Sequence, residues 1–79
     1  MPGVRVEFTI EPFVDNHPGP HVLAAWQAVE ARGWELVIGP FSSETSVSEA
    51  EAPDVISDVV RAALAAGATH VSVMVDRDP

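Results

Sequence analysis

Apolar residues fall at every second position near the start of the chain, where Val4, Val6, Phe8 and Ile10 alternate with Arg5, Glu7, Thr9 and Glu11. A period of two sends successive side chains to opposite faces, so this stretch predicts a first strand with one face buried and the other open. After a loop rich in proline, Gly19-Pro20 opens a helix, because proline is tolerated in the first turn, where its missing N–H costs nothing. Val22, Leu23, Trp26 and Val29 then recur at helical spacing up to Gly33, a glycine stop.

Trp34, Leu36 and Ile38 alternate with Glu35 and Val37 until Gly39-Pro40 interrupts the ladder. Proline cannot donate to a ladder, which makes this second strand an edge. The run from Phe41 to Val47 follows too closely for a crossover helix, so it is expected to return as the antiparallel partner of strand two. It is a polar strand: Ser42, Ser43, Glu44, Thr45 and Ser46 stand in succession. Acids and Pro53 mark the start of a second helix whose apolar face is Val55, Ile56, Val59, Val60, Ala63 and Leu64, ending at Gly67. A fourth strand is predicted where Val71, Val73 and Val75 alternate with His70, Ser72, Met74 and Asp76.

The order βαββαβ predicts a ferredoxin-like α+β fold, residues 1–79 forming one domain: a four-stranded antiparallel sheet, order 4-1-3-2, with both helices on one face. The other face, carrying Arg5, Glu7, Thr9, His70, Ser72 and Met74, is left uncovered. A polar third strand suits such a sheet if that face meets water, a ligand or another subunit. A chain of 79 residues buries only about 60% of its unfolded surface, and self-association into a dimer or tetramer through the sheet is the expected supplement.

Twelve acidic residues against four arginines and no lysine give a net charge of −8. Nucleic acid, whose binding rests on phosphate neutralisation, is a poor partner for such a surface. The lack of cysteine excludes disulfides and thiolate chemistry and fits a reducing cytoplasm. No apolar run approaches the length that spans a bilayer, so no membrane partner is expected.

Catalytic and metal chemistry find little footing. His17 and His21 are four apart with Asp15 close by, a spacing that on a helix would put two imidazoles on one face. Pro18, Gly19 and Pro20 lie between them, so a continuous helix is not expected, and both histidines read as exposed loop and helix-start residues. Acylphosphatases share the βαββαβ order but need an arginine in the loop after strand one, which here has neither Arg nor Lys. No Ser-His-Asp spacing suggests a triad, and the chain is read as a non-enzyme without cofactor. Trp26 and Trp34 are each in phase with an apolar face and read as core, whereas Phe13 and Phe41 flank kinks near Pro12 and Pro40, where a ring is easily left at a pocket rim.

The stretches EFTIEPF, PGPHV at a helix start, GPF after strand two, and AALAAGATHVSVMV at the end together resemble the thiamine-binding, YkoF-like family of small ferredoxin-like domains, over nearly the whole chain. The chain departs from that pattern after GPF, where Ser42 and Ser43 stand in place of Gly and Thr. The resemblance implies association through the sheets and binding of thiamine or its hydroxymethylpyrimidine portion. On that footing the candidate ligand contacts are Phe13 and Phe41 at the rim, the hydroxyls of Thr9, Ser43 and Ser72 for an aminopyrimidine, and Glu7 or Glu11 for a thiazolium charge. The alternative is a homo-oligomeric interaction module with no small ligand.

Overall fold

The computed structural model describes residues 3–14 and 17–77; Asp15, weighed above as a metal ligand, lies outside the described residues. The elements are β1 (Gly3–Glu11), α1 (Pro20–Ala31), β2 (Val37–Ile38), β3 (Ser43–Ser48), α2 (Ala52–Ala65) and β4 (His70–Arg77). All four strands join one antiparallel sheet in the order β2-β3-β1-β4, and the two helices cover one face, the ferredoxin-like arrangement expected from the order of elements.

The core sits between β1 and the helices. Val4, Val6, Phe8 and Ile10 are all at most 4% exposed, and they meet Val22, Ala25 and Val29 of α1 and Val55, Val59 and Ala63 of α2. Those helical positions are three or four apart, so each helix offers a single stripe. Leu23 and Leu64, expected on the apolar faces, are instead 41% and 55% exposed. Each lies one residue past a stripe member, and one residue turns the side chain by about 100°. Val59 is fully buried while Ile56 and Val60 are half-buried at the stripe's margin. Gly33 and Gly67 follow the helices with φ of 82° and 104°, a left-handed conformation that glycine adopts without a Cβ penalty.

The hairpin is tighter than its alternation suggests. Only Val37 and Ile38 ladder with β3, opposite Glu44 and Ser43. The Glu35 carbonyl instead accepts the Thr45 hydroxyl at 2.6 Å, so a side chain replaces a ladder bond there, and Trp34 and Leu36 pack against the core. β3 begins at Ser43 rather than Phe41 because the Gly39 N–H donates to the Ser42 carbonyl at 2.8 Å, placing Phe41 in the turn.

At the start of α2 the Ser48 N–H donates to Glu51 Oε1 at 3.2 Å, and the Glu51 N–H donates to Ser48 Oγ at 3.3 Å, a reciprocal pair of the capping-box kind. Trp34 Nε1 donates to the second Glu51 oxygen at 3.1 Å. The Trp34 indole, then the Ser48 hydroxyl and amide, hold the Glu51 carboxyl below its usual range. A carboxyl with a lowered folded-state pKa stabilises the fold above its unfolded pKa, and that contribution is lost as pH falls through the lowered value. Glu51→Gln is therefore expected to melt below wild type at neutral pH, with the two curves converging once the pH falls below that lowered value. Thermal melts across an acid pH series, followed by Trp fluorescence, check this; a gap that stays constant with pH would assign the stabilisation to neutral hydrogen bonds.

Candidate functional site

Where β1 ends, the chain leaves a cavity of about 410 Å³ between α1 and the β2–β3 hairpin. Alternation along β1 places Phe8 and Ile10 on its inner wall, and the four-residue spacing of Val22 and Trp26 puts both on the α1 face that meets them. Phe13 and Pro18 of the following loop and Phe41 of the hairpin complete the rim. Phe41 is 74% exposed, as a ring in a tight turn with no core beneath it must be.

The polar strand is explained by register. Ser43 pairs with Phe8, Thr45 with Val6 and Val47 with Val4, so Ser43 and Thr45 point towards the helices, with Glu44 and Ser46 on the open face. Burying a hydroxyl is costly unless it is hydrogen-bonded. Thr45 donates to Glu35, and Ser43, 7% exposed at the cavity wall, accepts from Trp26 Nε1 at 2.7 Å. Ser43 thus belongs to the helix side of the sheet, not to the open face that the hydroxyls of β1 and β4 share. Ser42, on the next position, donates to Glu7 Oε2 at 2.7 Å and so ties the hairpin turn to β1.

His21 is a correction. Expected at the surface, it is 8% exposed, and its Nε2–H donates to the Pro12 carbonyl at 2.5 Å, joining the first turn of α1 to the end of β1. The helix start brings the ring inward beside Gly19, where an added Cβ would meet His21 Cε1 at 2.6 Å and Nδ1 at 3.0 Å. Gly19→Ala is expected to destabilise by about 1–3 kcal/mol, because the ring can give way only by breaking its bond to Pro12. A thermal melt unchanged within a degree or two would show that the ring moves freely. Among the described residues no group of three or more His, Asp or Glu side chains is placed to hold a metal. No helix among them is long and apolar enough to cross a membrane.

Of the residues singled out from the sequence, Thr9, Phe13, Phe41 and Ser43 line the cavity. Glu7, Glu11 and Ser72 lie on the open face: Glu7 stands opposite Met74 and Glu44, Glu11 opposite His70, and Ser72 opposite Thr9. His70 Nε2 and Ser72 Oγ are 2.9 Å apart. The structure adds Val22 and Trp26, which sequence reasoning left in the core. Trp26 does pack against the core, but its indole also forms cavity wall, and the signal was its position on the first helix turns beside a proline-rich loop. An apolar slot with aromatic edges and a buried hydroxyl is suited to holding a flat ring and fixing its orientation.

No family model matches the chain, and no curated protein does. Solved structures share its fold. A domain of unknown function, DUF77, from Bacillus cereus is 19% identical with a TM-score of 0.70, the match covering 98% of this chain and 75% of that one. A Thermotoga maritima protein described as a candidate for thiamine biosynthesis or salvage is 20% identical with a TM-score of 0.69, covering 99% and 84%. A Streptococcus pneumoniae protein is 13% identical with a TM-score of 0.68, covering 100% and 87%. At these identities the likeness extends to the fold, which this chain shares with a set of small domains, one of them linked by its description to thiamine.

Proposed function

We propose that the protein is a non-enzymatic binder of a small planar ligand of the thiamine or hydroxymethylpyrimidine class, held in the cavity between α1 and the hairpin. The observation that carries this reading is the cavity itself, about 410 Å³ with Phe8, Phe13, Trp26 and Phe41 around the Ser43 hydroxyl. That volume lies in the range of small-molecule sites, roughly 300–1,000 Å³, and its mostly apolar wall with a few polar groups is their usual make-up. The resemblance of GPF and the neighbouring stretches to the thiamine-binding family, and the description of the Thermotoga maritima protein, support the ligand class. Titration with thiamine and with hydroxymethylpyrimidine is expected to give saturable quenching of Trp fluorescence, since Trp26 is in the wall, and a concentration-dependent rise in melting temperature. Absence of both effects for both compounds would remove the proposal.

Self-association is the second reading, favoured by the open face of β1 and β4. Met74 is 58% exposed there, and Arg5 sits 3.7 Å from Glu44 and 3.6 Å from Asp76, so the arginine of this face offsets part of its acidic charge beside an apolar residue. Sheets packed face to face lie about 10 Å apart and would bury alternate residues of both strands. At tens of micromolar, light scattering is expected to report at least a dimer; a monomer mass would defeat this reading and leave the cavity proposal standing.

A further inference from the structure

No residue of the described cavity wall is charged; its polar residues are Thr9, whose side chain alternation sends to the open face, Ser42 and Ser43. Ser42 is engaged with Glu7, and the direction of the Ser43 bond is fixed by chemistry. An indole N–H can only donate, so Ser43 Oγ accepts from Trp26, and its own O–H is left as a donor beside the cavity. A buried hydroxyl hydrogen without an acceptor is costly, and a ligand atom can supply one.

Resting on the binding function proposed above, we infer that this cavity selects an uncharged flat heterocycle that presents a hydrogen-bond acceptor to the Ser43 hydroxyl, and that a fixed positive charge on the ligand stays outside it. A cation brought into an apolar wall loses hydration with no carboxylate among the described lining residues to offset the loss. Glu11 stands on the other face of the sheet, and Glu7 reaches only the edge of the cavity, where its carboxylate is already engaged, accepting from the Ser42 hydroxyl at 2.7 Å. The neutral hydroxymethylpyrimidine is therefore the better-matched part of the thiamine molecule, its ring nitrogen the acceptor, and the thiazolium adds nothing to affinity within the cavity.

Calorimetry with hydroxymethylpyrimidine and with thiamine, at mildly alkaline pH and at low and high salt, tests this on the whole chain. Hydroxymethylpyrimidine is expected to bind at least as tightly as thiamine, with little change on adding salt. Ser43→Ala is expected to weaken it about 5- to 10-fold through loss of one buried hydrogen bond. Trp26→Phe keeps a ring in the wall but frees Ser43 to turn, and is expected to weaken it less than Ser43→Ala. Thiamine binding at least tenfold more tightly than the pyrimidine, with an affinity that falls as salt rises, would overturn the inference and leave the binding function intact. So would unchanged pyrimidine affinity in a folded Ser43→Ala protein. No binding of either compound would overturn both proposals together.

Discussion

Phe8→Ala is expected to destabilise the fold by about 3–5 kcal/mol, the cost of removing a fully buried aromatic ring and leaving the space unfilled. Phe8 is 2% exposed on the central strand β1, between β3 and β4, and neither neighbouring strand can shift inward to close the gap without breaking its ladder. A chain of 79 residues has a total stability of about 4–12 kcal/mol, so one substitution removes a large part of it. At about 4–8 °C per kcal/mol for a domain of this size, the melting temperature is expected to fall by more than about 12 °C. Ile56→Ala is the comparison: half-buried at the margin of the α2 stripe, it is expected to cost no more than about 2 kcal/mol, the low end for an isoleucine truncation. Chemical denaturation of both variants measures the difference. A Phe8→Ala protein as stable as Ile56→Ala would mean that the centre of the core does not lie on β1.

The contrast between these residues shows what periodicity conveys. Alternation in β1 and the three- and four-residue spacings of α2 are repeated signals, each position agreeing with the next, and they placed the strand, the helix and the antiparallel order. Leu23 and Leu64 were misjudged because an apolar residue beside a stripe is indistinguishable in sequence from one within it. Residue type at β3 was legible but not its direction. Ser43 and Thr45 look like a solvated strand, and only the pairing of Ser43 with Phe8 shows that they turn inward. Their partners, Trp26 and the Glu35 carbonyl, are 17 and 10 residues away, a separation no local pattern reports. His21 was hidden for the same reason: its acceptor is the carbonyl of Pro12, which depends on how the proline-rich loop brings α1 back to the end of β1. Phe13 and Phe41 were found because prolines and glycines mark where a strand stops, and rings beside such stops have no sheet to pack under.

Val22→Phe is expected to separate binding from folding. Val22 is 6% exposed, so it belongs to the core, but it also lines the cavity on α1, one turn from Trp26. Small-to-large changes in a filled core are destabilising because they force strained rotamers and backbone shifts. Here the added ring has about 410 Å³ of empty space to enter, so stability is expected to stay within about 1 kcal/mol of wild type or to rise, as cavity filling commonly gives. The same ring occupies the volume between Phe8, Trp26 and Ser43 that a flat ligand needs. Affinity for hydroxymethylpyrimidine is then expected to fall by at least about tenfold, equivalent to 1.4 kcal/mol or more of lost binding energy. Thermal melting and calorimetry on one preparation read both quantities, and lost affinity at retained stability is the signature: a substitution that damaged binding by damaging the fold would lower both together. Full ligand affinity in a stable Val22→Phe protein would place the binding site elsewhere on the molecule, with the open face of β1 and β4 the next surface to examine.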